Sequence, residues 1–115
     1  MKITLTNKHI KKILKKHAIW LGIDRGAQAN FQSVDLSGKD LRNAVLTGAN
    51  MSGANLSGAD LEGACLQFAI LECCDFRGAN LKGAKFYRAR ISGARFEGAI
   101  DADISDAERG DNGQA

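Results

Sequence analysis

The sequence predicts an all-β solenoid with an α-helical cap at its N-terminal end, and three observations predict it. A large apolar residue recurs at every fifth position, without a slip, from Phe31 through Leu36, Leu41, Leu46, Met51 and onward to Ile91 and Phe96. Ala stands two residues before most of these centres and Gly two after, so one unit reads Ala, polar, Leu, polar, Gly. The first 28 residues lack that pattern and have the periodicity of a single amphipathic helix.

The helix comes first along the chain. Thr6 or Asn7 supplies an N-cap, because a short oxygen-bearing side chain can accept from the free N–H groups of the first turn. Ile10, Ile13, Leu14, His17, Trp20 and Leu21 then fall within one apolar arc, with Lys8, Lys11, Lys12 and Lys15 opposite. Gly22 is a plausible stop. His9 and His17 lie two helical turns apart, too far to share a metal readily, so His17 is expected to be a packed, hydrogen-bonded residue.

The repeats occupy residues 29–100. Period five matches neither the helical 3.6 nor the strand 2, so the chain must turn at every unit. With each unit as one side of a square coil, the centre and the Ala two before it point inward and the other three positions face solvent. Gly supplies the corner, since it reaches positive φ without a Cβ clash. Asn30, Asp35, Asp40, Asn50, Asn55, Asp60, Asp75 and Asn80 sit just before a centre, where their side chains can bond backbone N–H groups at the bends. Two inward positions depart from the pattern. Lys39 takes an Ala slot and implies a loosened first coil whose ammonium reaches solvent or an acid near the lid, because an unpaired buried charge is too costly. Asp101 falls where the next centre belongs and ends the solenoid, leaving 101–115 as an acidic cover and flexible tail.

These units resemble the pentapeptide-repeat family, whose A(D/N)LxG pattern is met outright by Ala49-Asn50-Met51-Ser52-Gly53, Ala54-Asn55-Leu56-Ser57-Gly58, Ala59-Asp60-Leu61-Glu62-Gly63 and Ala79-Asn80-Leu81-Lys82-Gly83. The resemblance implies a right-handed quadrilateral β-helix with four repeats per coil, hence about three and a half coils and a prism of roughly 17 Å at the inter-strand spacing. The run from Ile13 to Leu21 also resembles the His-x-x-Trp-Leu leader that precedes many cyanobacterial pentapeptide repeats. That likeness makes the helix a lid on the first coil, with Trp20 and Leu21 as its main anchors.

Composition bounds the function. A chain of 115 residues with one uninterrupted repeat is a single domain. No stretch approaches the ~20 apolar residues of a bilayer span. The N-terminal segment mimics a signal peptide, but its apolar run from Ala18 to Ile23 is short and charged Asp24 and Arg25 follow it, so a cytoplasmic location is expected. Three cysteines neither complete a four-ligand zinc site nor pair off into a disulfide framework, and no metal or cofactor is expected. Cys65 and Cys73 hold outward positions, and Cys74 an inward one. No nucleophile, base and acid set stands out, and no phosphate-binding glycine motif occurs, so the protein is expected not to be an enzyme and to take no small-molecule substrate.

Charge is distributed unevenly: +6 over residues 1–28, +1 over 29–100 and −4 over 101–115. Within the repeats acids prevail up to Asp75, and bases after it. Arg77, Lys82, Lys85, Arg88, Arg90 and Arg95 are expected to form a basic collar on all four sides of the last coil. The expected function is therefore that of a non-enzymatic protein-binding scaffold or regulator with flat polar walls and a macromolecular partner, the collar being the candidate contact and the C-terminal coil a candidate homodimer face. Two alternatives differ in class. Family likeness suggests a DNA mimic that binds and protects DNA gyrase, as in quinolone resistance, although mimicry calls for a duplex-like run of negative charge that the mixed walls and basic end do not provide, and nucleic acid itself is an unfavoured partner. The basic helix or collar would alternatively attach the protein to an anionic surface.

Overall fold

The computed structural model describes the backbone of residues 3–23 and 28–109 and the side chains of residues 5–17 and 28–109. Three elements open the chain: strand β1 (Ile3–Thr4), helix α1 (Asn7–Ile23) and strand β2 (Val34–Asp35), with β1 and β2 paired in parallel so that Ile3 meets Val34 and Thr4 meets Asp35. Beyond them the solenoid is a succession of single parallel bridges. Asn30 pairs with Asn50, Asp35 with Asn55, Asp40 with Asp60 and Val45 with Cys65, and the ladders continue twenty residues apart up to Asn80 with Ile100. Four five-residue units thus complete each coil.

The backbone bonding explains why five residues suffice. The centre of a unit donates to the coil above (Phe31 N–H to Asn50 O, 2.7 Å), as does the corner residue (Ser33 N–H to Ser52 O, 2.9 Å). The residue before a centre donates back to the coil below (Asn50 N–H to Ala29 O, 2.9 Å), and the inward small position closes the turn (Val34 N–H to Phe31 O, 3.0 Å). The remaining N–H, just after the centre, is taken by the side chain just before it. All eight Asn and Asp residues named above accept that bond, at 3.0 to 3.3 Å. With a coil stacked on each side, a unit with Asn or Asp in that place therefore has every N–H taken up.

The interior is as the five-residue register requires. Leu36, Leu46, Met51, Leu56, Leu61, Leu66, Leu71 and Leu81 have no exposed surface, and neither do Ala49, Ala59, Ala64, Ala69 or Ala79. Toward the C-terminal end Phe76 and Phe96 stack at 5.1 Å between ring centroids, and Phe86 meets Phe76 edge-on at 6.0 Å. The corner residue has positive φ in every unit from Ser33 to Gly98. Glycine does this without strain, but Ser33, Asn43, Phe68, Cys73 and Arg88 do it too, with φ between 57° and 61°. Coil geometry overrides residue preference at those corners.

Three expectations need correction. Helix α1 runs to Ile23, so Gly22 does not stop it. Lys39 does not loosen the first coil, because its N–H bonds Leu36 O and its carbonyl accepts from Asp60 at 2.9 Å, in register with every other unit. The lysine side chain is half-buried while the backbone holds the ladder. Asp101 does leave the ladder, exposed and at φ 52°, but the chain comes back. Asp103, Ile104 and Ser105 repeat the local geometry, with Asp103 accepting from Ser105 N–H at 3.2 Å. Ile104 and Ala107 pack against the core, and Glu108 bridges to Arg90. Residues 101–109 thus lie against the last coil, displaced in register from the units before them. Residues 110–115 lie outside the described set.

Candidate functional site

The N-terminal end is assembled by three devices. Thr6 Oγ1 accepts from His9 N–H at 3.2 Å and caps α1, which settles the choice between Thr6 and Asn7. Ile10 is buried, and Ile13 and Leu14 are half-buried against the core. His17 is fully buried between helix and coil. Its Nδ1 accepts from Ala29 N–H at 2.9 Å, so the ring is the tautomer that carries hydrogen on Nε2, and that atom donates to Thr47 O at 2.7 Å. One imidazole thereby satisfies an edge carbonyl of the first coil and an N–H at its entry. Burial lowers the His17 pKa, against the opposing effect of the Thr47 bond. The side chains of Trp20 and Leu21, expected as anchors, lie outside the described set; Lys8, Lys11, Lys12 and Lys15 face solvent.

The collar residues all lie at exposed positions near the C-terminal end, but a uniformly basic ring is not what they form. Arg77 makes a two-pronged contact with Asp75, at 2.7 Å to one oxygen and 2.9 Å to the other. Arg90 pairs with Glu72 at 3.0 Å, Arg95 with Glu97 at 3.2 Å, and Arg88 with Glu108 of the terminal cover at 2.8 Å. Lys82 and Lys85 are the collar members without an ion pair among the described residues. The guanidinium of Arg77 pulls the Asp75 carboxyl down to about 2, and Arg42 does the same to Asp40 at the other end. Columns twenty residues apart and positions two apart place opposite charges side by side, a coupling that a charge count along the chain does not reveal.

Another feature emerges from the stacking. The wall formed by Val45, Thr47, Cys65, Gln67, Lys85 and Tyr87 has one charged residue, Lys85. At its corner Phe68 is 55 % exposed and meets the 52 % exposed Tyr87 edge-on, centroids 5.7 Å apart. Val45, 46 % exposed, belongs to the same wall. Sequence reasoning passed over this pair; the signal was available, since Phe68 replaces a corner Gly and Tyr87 lies nineteen residues on, one column away.

Among the described residues no three His, Cys, Asp or Glu side chains are gathered closely enough to hold a metal ion. Cys74 is buried and its thiol donates to Met51 O, while Cys73 is exposed and Cys65 half-buried. No helix of the described residues is long and apolar enough to cross a membrane.

Comparison with known proteins agrees with this architecture. The family described as Pentapeptide repeats matches as 8 copies at residues 27–63 and 60–98. No curated protein matches the chain. Among solved structures, a pentapeptide repeat protein (Rfr23) from the cyanobacterium Cyanothece 51142 is 28% identical over 79% of this chain and 67% of its own, with a TM-score of 0.56. HetL from Nostoc sp. strain PCC 7120, a pentapeptide repeat protein involved in heterocyst differentiation regulation, is 34% identical over 69% of this chain, with a TM-score of 0.37. QnrB1, a plasmid-mediated fluoroquinolone resistance protein, is 26% identical over 57% of this chain, with a TM-score of 0.36. This chain spans 38% of HetL and 39% of QnrB1. The five-residue register, the ladders twenty residues apart and the family match identify the chain as a pentapeptide-repeat protein, whose fold is a right-handed quadrilateral β-helix.

Proposed function

We propose that this protein is a non-enzymatic scaffold of about three and a half coils, capped by α1 and by residues 101–109, that binds a partner protein through its outer walls. The observation that carries this is the exposed Phe68–Tyr87 pair. Exposed aromatic side chains on a rigid wall, bordered by Lys85, Arg88, Asp103 and Asp106, match an interface centre with a polar rim, where buried rings dominate binding energy. Phe68 also occupies a left-handed corner that costs an L-residue ~1–2 kcal/mol relative to glycine. A strained aromatic exposed to water has no use for folding, which favours a use in binding.

Lys85 on this wall and Lys82 on the side before it would steer an acidic partner. Ion pairing of the four collar arginines weakens the case for attachment to an anionic surface, and the interleaving of acids with bases does the same for duplex mimicry. The test is affinity capture from a lysate of the native host, run with the wild type and with a Phe68→Gly, Tyr87→Ser variant. Loss of a specifically captured protein, with the melting temperature kept or raised, supports the proposal. Capture unaffected by the double substitution would move the contact elsewhere.

A further inference from the structure

We infer that the N-terminal edge of the first coil at Asp40, beside α1, is a docking site for an extended acidic segment of a partner protein, which joins the solenoid as one more parallel bridge. The chain itself shows that this end accepts a strand. One side earlier, β1 lies in parallel register on Val34 and Asp35, in the place a preceding coil would fill. One side later, His17 covers the carbonyl of Thr47. Between them no described residue bonds the edge.

The repeat geometry says which groups it offers. Asp60 N–H bonds Lys39 O, Leu41 N–H bonds Asp60 O, and Asn43 N–H bonds Glu62 O. One coil lower, the equivalent groups are the N–H of Asp40 and the carbonyls of Asp40 and Arg42, and they point out of the N-terminal end. Among the described residues none of these three has a hydrogen-bond partner. A groove of about 350 Å³ lies over them, with Ile10, Leu14, Leu41 and Ala44 as apolar walls and Lys11 and Lys39 as cations. That volume holds one or two side chains. Arg42 and Asp40 are already paired, at 2.8 Å, so the groove's charge toward a ligand comes from the two lysines.

Lys39 fixes the chemistry of the occupant. It stands in a slot that elsewhere holds a small inward residue, is half-buried, and makes no ion pair among the described residues. A strand laid in the register of the ladders would place one residue over Lys39, the next over Asp40 and the third over Leu41. Charge complementarity makes the first acidic, and the apolar groove makes the third Leu or similar. Its main chain would accept from Asp40 N–H and donate to the carbonyls of Asp40 and Arg42. The inference rests on the protein-binding proposal for the class of partner but uses the N-terminal edge and not the corner of Phe68 and Tyr87.

The test is an amide NMR titration of the full chain with the peptide acetyl-Ser-Glu-Val-Leu-Thr-Gly-amide. Expected are shifts at the amides of Asp40, Leu41 and Arg42, and at least about fivefold weaker binding to Lys39→Ala, whose charge-assisted contact is gone. That variant restores the residue usual in the slot, so it should keep the fold. A peptide with Lys for Glu, or with N-methyl-Leu for Leu, should bind at least about fivefold more weakly as well. Unshifted Asp40 at millimolar peptide, equal binding of the control peptides, or undiminished affinity in Lys39→Ala would each overturn the inference. So would sedimentation showing self-association that Lys39→Ala abolishes, because the edge would then belong to a second copy. Failure here with capture still sensitive to Phe68 and Tyr87 leaves the scaffold proposal standing; insensitive capture with a positive titration removes the wall and keeps the edge.

Discussion

Replacing Gly58 with alanine isolates the corner. Gly58 has φ +67°, and a Cβ built on it meets nothing within 4 Å, so the substitution introduces no clash. What it introduces is a left-handed L-residue, at ~1–2 kcal/mol, offset by the ~0.4–1 kcal/mol gained from a less flexible unfolded chain. The net expected loss is about 1 kcal/mol. Cys73→Gly reverses the experiment, since Cys73 is exposed, sits at the same corner position with φ 60°, and should gain about 1 kcal/mol on the same terms. Gly63→Ala adds a steric term to Gly58→Ala, because its Cβ would press on the side-chain oxygen of Asn43. Urea unfolding of the three variants supplies the ΔΔG values from midpoints at constant m. A neutral or stabilising Gly58→Ala together with a destabilising Cys73→Gly would refute the reasoning, for the glycines would then be conformationally idle.

The core and the wall should separate cleanly: Leu61→Ala, fully buried, should cost ~2–5 kcal/mol, while exposed Glu62→Ala stays within about ±0.5 kcal/mol in the same denaturant assay. His17 titrates near 6.5 when unfolded and lower when buried, so the unfolded chain takes up the proton first. Its contribution is complete above pH 6.5 and erodes as pH falls from there through the folded value; melts of His17→Gln should lose that slope, and an unchanged slope would remove His17 as its source. The Asp75 and Asp40 carboxyls, held at about 2, act only in a lower window, their contributions fading as pH falls below about 4. Truncation after Ile100 removes the three main-chain bonds that join the segment to the last coil, from Arg88 to Asp106, Ile91 to Glu108 and Glu108 to Ala89, and should cost roughly 3 kcal/mol at about 1 kcal/mol each. The same truncation frees Arg88 and should raise the salt needed to elute the protein from heparin, the difference vanishing near 0.5 M as the Debye length shrinks to about 4 Å. Identical elution would make the acidic segment a structural cover alone.

Much of the architecture follows from residues read in order. The five-residue period, the inward Leu and Ala, the glycine corners and the bend-bonding Asn and Asp are local requirements, met again in each unit, so the sequence determines them without reference to any distant residue. The same holds for helix α1, whose apolar arc and Thr6 cap are set within one turn or one face. Two further features are local in the same way: Ile3-Thr4-Leu5-Thr6 has strand character, and Ala102-Asp103-Ile104-Ser105-Asp106 is a repeat shifted in register.

What the sequence did not determine arises between coils or across an end. Arg88 reads as a free base until Glu108 folds back beside it; Lys39 reads as a disruption until the backbone ladder is seen to ignore it. Phe68 and Tyr87 become one surface because a nineteen-residue separation is a step of one column once the chain is coiled. Even the tautomer of His17 follows from Ala29 and Thr47, brought to it from opposite sides by the crossing of helix over coil. Periodicity constrains a residue's neighbours along its own unit, whereas electrostatics, surface patches and open edges depend on neighbours twenty residues away or on the caps, and only the closed coil sets those distances.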